Sequence, residues 1–342
     1  MTSKTILITG VTGYIARHIA LQALEAGDRV IGSTRDLSRE AALRDALRAN
    51  LSDPAKLDNL RLMALDNTDD TGWAEAFDGV EALIHTASPV PVRQPDDPEE
   101  VIRPAVDGAL RAAKAAYAAG LRRMVMTSSI AAVTSCPIRP GHQAHDEQDW
   151  SDLTRPGLSP YLASKTLAER AVWDWQAAEA PEMRVTMINP AVVIGPPVGP
   201  EIGASVYILR RLMQGKDAFL PRLGYPLVDV RDVAAMHLRA LERPEAEGER
   251  FIASNKFYWH GQIARDLSAA FPARRIPTRV MPDWVFRLLA RFVKPLRGLV
   301  PLLGTREEVD GSKATRVLGI QYRDTDATIR ETAQALIDHK LV

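Results

Sequence analysis

Apolar residues recur along the first half of the chain in two alternating rhythms. Short apolar runs at residues 6–8, 29–34, 60–65, 82–86, 124–127 and 184–188 have the length and composition of buried strands. Between them the spacing turns helical, first through Tyr14, Ile15, Ile19, Leu21, Ala23 and Leu24, and again across residues 39–48. An alanine-rich helix is predicted over 105–119, stopping at Gly120, a residue suited to a C-terminal cap. Strands separated by helices predict parallel βαβ units, so the expected fold is α/β: a Rossmann-type, doubly wound parallel sheet. From Gly195 the alternation breaks and a smaller C-terminal lobe begins, with helical runs at 205–212 and 284–303. The boundary is set at 190/191, with return segments to the first domain around 225–240.

Composition narrows the picture. The chain has 342 residues, enough for one large α/β domain and a smaller lobe, and 46% of them are hydrophobic. Lys+Arg and Asp+Glu both number 43, so no global charge field favours nucleic acid. The single cysteine, Cys136, excludes an internal disulfide framework and a cysteine-based zinc site. No apolar stretch reaches the ~18 residues that span a bilayer, and no charged-then-apolar leader precedes the first strand. A cytoplasmic protein is expected. The alanine-rich helix suits either a homodimer face or close packing inside a monomer.

In a parallel sheet the ligand sits beyond the carboxyl ends of the strands. Residues 10–13, 34–35, 66–67, 86–88, 128–130 and 189–193 are therefore expected to converge. Thr9-Gly10-Val11-Thr12-Gly13-Tyr14-Ile15-Ala16 joins the first strand to the first helix. Gly10 permits a tight turn, Gly13 lets a pyrophosphate approach the backbone, and Ala16 is small enough for helix-on-sheet packing. The helix N–H groups there attract an anion. Where an acid would hold the ribose hydroxyls of NAD, the second strand ends in Ser33-Thr34-Arg35. A guanidinium grips a 2′-phosphate through two donors, so Arg35, with Arg39 as a second positive charge, favours NADP(H).

The candidate chemistry lies at Ser159-Pro160-Tyr161-Leu162-Ala163-Ser164-Lys165, which opens a long helix with Ser159 as N-cap and Pro160 at its first position. Tyr161 and Lys165 share one helical face. An ammonium about 4 Å away, worth about 4 kcal/mol at an effective dielectric of 20, would draw the phenol down toward working pH, where it transfers protons efficiently. The bland alternative is an aromatic core anchor with a surface lysine paired to Glu169. Thr127-Ser128-Ser129, at the end of the fifth strand, offers a hydroxyl beside Tyr161 and disfavours that alternative.

These motifs resemble the extended short-chain dehydrogenase/reductases, in the branch of dihydroflavonol reductases, cinnamoyl-CoA reductases and microbial aldehyde or carbonyl reductases. Further matches are Asp146-Glu147-Gln148-Asp149-Trp150-Ser151-Asp152, residues 189–196 and residues 228–234, so the resemblance covers roughly the first 250 residues. It implies Ser129 (with Ser128 as the weaker candidate) as the group that positions a carbonyl. Tyr161 would be the proton donor, and Lys165 would acidify it and hold the nicotinamide ribose. Gly10, Thr12, Gly13, Tyr14 and Ile15 would bind the pyrophosphate, Arg35 the 2′-phosphate, and Asp66 and Asn67 the adenine. Thr86 and Ala87 would flank the cofactor, while Pro190, Val192 and Val193 would pack on the nicotinamide. The implied activity is NADPH-dependent reduction of an aldehyde or ketone to an alcohol. A nucleotide-sugar epimerase or dehydratase and a non-catalytic NADP sensor are the alternatives. Thr134 replaces the amide or acid of plant flavonoid reductases, which weakens a flavonoid substrate.

The remaining polar residues read as structural. His142 and His145 are expected to be solvated loop histidines and Cys136 an inert small residue, with no metal. His85 and His237 sit in apolar patterns, and Asp229 and Asp232 suit helix capping. Residues 88–98 and the long connection 136–158 are expected to shape the substrate pocket. Phe257, Tyr258 and Trp259 would add apolar wall, and 284–303 a greasy lid with basic residues outside, in preference to a membrane-surface helix.

Overall fold

The computed structural model describes residues 3–88 and 97–342, the side chains at 294 and 295 excepted. Its first half alternates strand and helix: β1 (Thr5–Thr9), α1 (Tyr14–Glu25), β2 (Arg29–Thr34), α2 (Glu40–Arg48), β3 (Leu60–Ala64), α3 (Trp73–Ala76), β4 (Ala82–His85), α4 (Glu99–Ala118), β5 (Arg123–Thr127), α5 (Pro160–Glu179) and β6 (Arg184–Pro190). The second half holds β7 (Val192–Ile194), α6 (Val206–Gln214), β8 (Gly224–Asp229), α7 (Val230–Glu242), β9 (Arg250–Ala253), β10 (Lys256–Trp259), α8 (His260–Ala270), α9 (Asp283–Phe292), α10 (Ser312–Leu318) and α11 (Thr325–Asp338).

The large sheet is parallel throughout, in the order β3-β2-β1-β4-β5-β6-β9. The order reverses direction between β1 and β4, which opens the ligand crevice of a doubly wound fold there. The Rossmann-type sheet is thus the expected one, with a seventh strand, β9, drawn from far along the chain. Its four residues, Arg-Phe-Ile-Ala, are too short and too mixed to stand out as a strand in the sequence. A second sheet, β10-β8-β7, pairs β7 and β8 in parallel and β8 and β10 antiparallel.

Each face of the large sheet carries its own core. On one side Ile6, Ile8 and Ile84 meet Ile19, Ala20 and Leu24 of α1 and Val233, Ala234 and Met236 of α7. On the other, Leu7, Leu83 and Met124 meet α4 and α5. The alanines of α4 (Ala105, Ala109, Ala112, Ala113, Ala116) are all buried there, facing Ala168, Val172 and Trp175 of α5. Small side chains therefore let two 20-residue helices approach closely within one chain. A third core joins β7, β8 and β10 to α6, α8 and α11.

The close approach of α4 to α5 makes a direct prediction. Ala112→Leu adds three carbons where nothing is exposed and is expected to destabilise the protein by about 1–3 kcal/mol. That is read as a lower urea midpoint with unchanged oligomeric state.

Candidate active site

The glycine turn leaves β1 at the switch point. Gly10 has φ +64°, and a Cβ on it would lie 3.0 Å from the Cβ of Ala87. Its carbonyl accepts Gly13 N–H at 2.8 Å, and a Cβ on Gly13 would stand 3.1 Å from the same oxygen. Gly13 caps α1 with no side-chain partner, so the N–H groups of Tyr14, Ile15 and Ala16 project from the helix end without partners among the described residues. An anion held by backbone donors fits this cradle. Tyr14 and Thr12 are otherwise engaged. The Tyr14 hydroxyl donates to Gly195 O at 2.8 Å, and burial pushes its phenol well above the ordinary range. Thr12 accepts from Arg17 through its carbonyl and from Arg39 through its hydroxyl. Ile15 packs against the first core.

Arg35 and Arg39 part company. Arg39 is bound to Glu201 at 2.8 Å, whereas Arg35 is exposed and makes no hydrogen bond or ion pair among the described residues. Across the turn, the Asp66 carboxylate accepts from Thr68 N–H and Oγ1, which hold it below the usual range, helped by the field of Arg35. Asn67 Nδ2 donates to Ala87 O at 3.0 Å. Thr86 Oγ1 donates to Thr9 O. Thr9 Oγ1 accepts two backbone N–H groups, from Thr86 and Ala87, so its own proton points to His85 Nδ1, 2.9 Å away. His85 is thereby held as the neutral Nε2–H tautomer. Hydrogen bonds thus join the ends of β1, β2 and β4 and the segment after β3 at one edge of the sheet.

The second half of the site stands where α5 begins. Ser159 Oγ accepts Leu162 N–H and Pro160 occupies the first turn, the expected cap. Ser129 caps the short turn Ile130–Ala132 by accepting Ala131 N–H at 3.1 Å. Its hydroxyl is also close enough to the Tyr161 phenol to stabilise the phenolate. Lys165 is buried, and its Nζ donates to Ser88 Oγ at 3.0 Å while lying 5.8 Å from the centroid of the Tyr161 ring. Burial draws it down to about 8, against the opposing pull of Glu169. It is not a surface lysine.

Here an expectation is corrected. Tyr161 is not acidified in this arrangement: burial raises its phenol, Ser129 opposes the shift, and Lys165 is turned toward Ser88. A phenol held protonated is still a loaded proton donor.

Ser128, the weaker hydroxyl candidate, faces away and donates to Glu169 Oε2 at 2.5 Å. Glu169 is fully buried, and it also receives Asn189 Nδ2 at 2.8 Å and Arg250 Nε at 2.6 Å. The sequence offers Glu169 only as the partner of a surface Lys165, and Arg250 not at all. Pro190 closes β6, Val192 leans on the third core, and Val193 is buried in the first.

Other expectations change. His142 is exposed, but His145 is buried, with Nδ1 3.8 Å from Cys136 Sγ and 3.5 Å from Asp149 Oδ2. The Asp149 carboxylate is already bound to Arg139 Nε (2.6 Å) and to Asp146 N–H, so the cluster fastens the 136–149 loop and fits a metal poorly. Tyr258 lies in the third core, donating to Asp326, and is not pocket wall. On α9, Phe286 packs against Leu223 and Leu303 and Ala290 is buried, while Trp284 and Phe292 are 70% and 80% exposed. Asp229 caps α7 through Arg231 N–H, whereas Asp232 pairs with Arg323. Of the proline-rich segment at 88–98, residues 89–96 lie outside the described residues. No helix among the described residues is long and apolar enough to cross a membrane.

Residues 6–253 match the model of the NAD dependent epimerase/dehydratase family. The chain belongs to this family. Among its relatives, Cinnamoyl-CoA reductase 1 of Arabidopsis thaliana is 35% identical over 280 residues, covering 81% of this chain and 77% of that protein. The ketoreductase azaE of Aspergillus niger is 31% identical over 355 residues, covering 98% of each. The fold matches the yeast methylglyoxal/isovaleraldehyde reductase Gre2, solved with NADPH, at TM-score 0.80 and 24% identity over 98% of this chain and 99% of that one. Vestitone reductase from alfalfa matches at 0.74 and 25%, over 99% of both. In this extended short-chain dehydrogenase/reductase, Tyr161 and Lys165 lie one helical turn apart in α5.

The buried histidines give this family member a pH signature. Burial holds His18, His237 and His260 at about 4 and His85 at about 3. The unfolded chain takes up those protons near pH 6.5, the folded one only below about 4, so stability falls as pH drops through that window. His237 donates from Nδ1 to Val233 O and accepts from Thr127 at Nε2. His237→Asn is expected to narrow the difference in Tm between pH 7 and pH 5, measured by thermal scans.

Proposed function

We propose that this chain reduces an aldehyde or ketone to the alcohol, with NADPH as the hydride donor. The observation that carries the reading is the meeting of Ser129, Tyr161 and Lys165 with the glycine turn at one sheet edge. The sequence relatives named cinnamoyl-CoA reductase and ketoreductase support carbonyl reduction over sugar-nucleotide chemistry.

The roles follow from the positions. The backbone donors at the start of α1 take the pyrophosphate, and Gly10 and Gly13 leave room for it. Arg35, which has no partner among the described residues, would take the 2′-phosphate through charge-assisted hydrogen bonds. Asp66 and Asn67 would border the adenine, Thr86 and Ala87 would flank the dinucleotide, and Pro190, Val192 and Val193 would back the nicotinamide. When bound, the dinucleotide supplies a hydride to the carbonyl carbon. Ser129 orients the carbonyl oxygen, and Tyr161, which burial keeps protonated, gives that oxygen its proton. Lys165 exchanges its Ser88 contact for the ribose hydroxyls and, from there, compensates the charge left on Tyr161. The large sheet with its returning segments α7 and β9 would hold the cofactor, and the smaller lobe would face the substrate.

The test is loss of NADPH absorbance over aromatic, aliphatic, steroid and flavonoid carbonyls, repeated with NADH. Turnover of at least one carbonyl with NADPH is expected. Cofactor that stays bound with no net NADPH loss would favour an epimerase or dehydratase instead. Arg35→Ala is expected to raise the KM for NADPH about 10–100-fold, the loss of one or two charge-assisted bonds, and to leave that for NADH unchanged. An equal effect on both cofactors would remove Arg35 from the phosphate site.

A further inference from the structure

Glu169 is fully buried, yet no step of the proposed reaction uses it. Its surroundings are unusual in gathering polar groups from three strands. Oε2 receives Ser128 Oγ, just past the end of β5, and Asn189 Nδ2 of β6; Oε1 receives Arg250 Nε of β9 at 2.6 Å. Arg250 is itself anchored by the carbonyls of Glu147 (2.9 Å) and Asp149 (2.7 Å), and its guanidinium lies 3.8 Å above the Trp150 ring. Asn189 also donates to Ser129 O at 3.2 Å, so the same cluster reaches the backbone of the carbonyl-positioning serine. Tyr161, Lys165 and Glu169 fall at i, i+4 and i+8, along one stripe of α5.

We propose that Glu169 is the positioning residue of this site: through Ser128, Asn189 and Arg250 it fixes the register of α5 against β5, β6 and β9, and it provides the counter-charge for Lys165. A buried ion pair adds little net stability compared with apolar residues of the same size, but breaking it on one side is costly. Such a pair is therefore better suited to specifying a geometry than to strengthening the fold. The groups facing Lys165 support the counter-charge role. His85 on β4 is neutral, Ser88 carries no charge, Tyr161 is protonated, and Glu169 is the carboxylate whose field acts on it. Facing Glu169, Arg250 contributes the opposing charge, while the Glu147 carboxylate accepts Ile252 N–H and that of Asp149 is bound to Arg139.

The kinetic consequence rests on the reductase reading, but the electrostatic one does not, and the experiment separates them. Lysine Cε resonances are followed through a pH titration of the whole protein, with no substrate present. The Lys165 midpoint is expected near 8 in the wild type and about one pH unit lower in Glu169→Gln. Glu169→Gln leaves the Arg250 charge unpaired. If it fails to fold, the E169Q/R250M double variant removes both charges and is expected to show a shift in the same direction. With a reducible carbonyl, the alkaline limb of kcat is expected to move acidward with the same variant. Turnover at pH 8 should then fall about fourfold more than at pH 6.5, as a one-unit shift of a midpoint near 8 requires. An unmoved Lys165 midpoint, or a loss of kcat equal at all pH values, overturns the positioning role. Absence of NADPH-dependent turnover in the wild type overturns the reductase reading and leaves the titration as the test of Glu169.

Discussion

A lysine ammonium enclosed at the carboxyl edge of a parallel sheet is the constraint on which the rest depends. Removing such a charge from water is costly, and the structure compensates in two ways: a hydrogen bond to Ser88 and the nearby carboxylate of Glu169. That carboxylate is in turn enclosed, so it needs Ser128, Asn189 and Arg250. The chain of requirements runs from one side chain of α5 to three strands, one of them 81 residues further on. The result is a helix whose register against the sheet is pinned by polar contacts, while its packing on α4 is left to small apolar ones.

This division explains what the sequence disclosed. The parallel sheet was legible because β1 to β6 are apolar runs separated by helical spacing, and the glycine turn because only glycine tolerates φ +64° beside Ala87. The proximity of Tyr161, Lys165 and Ser129 was legible because helical spacing and a strand end bring hydroxyl and ammonium to one edge. Arg250 was not. Its role depends on β9 joining β6 by parallel pairing of Met187 with Arg250, a long-range register that no local pattern encodes. The burial of His145 was hidden for the same reason: a contact with residues 308–310 draws its loop inward.

The direction of the Tyr161 shift carries a second lesson. Spacing along a helix places a cation on the right face but does not aim it. Lys165 bonds Ser88 here, and burial dominates the phenol. For a proposed reduction, in which the phenol gives up a proton at the moment hydride arrives, a protonated resting state is the useful one. For the reverse oxidation, Lys165 would have to turn from Ser88 toward the cofactor before the phenol could serve as a base.

The proposed role of Tyr161 is delivery of this proton. It is tested by removing the hydroxyl alone, in Tyr161→Phe, and measuring kcat for carbonyl reduction beside the Kd for NADPH obtained by fluorescence. That role requires near-wild-type affinity and a kcat reduced about 10²–10⁴-fold. A phenylalanine variant that binds NADPH and turns over at close to the wild-type rate would contradict it.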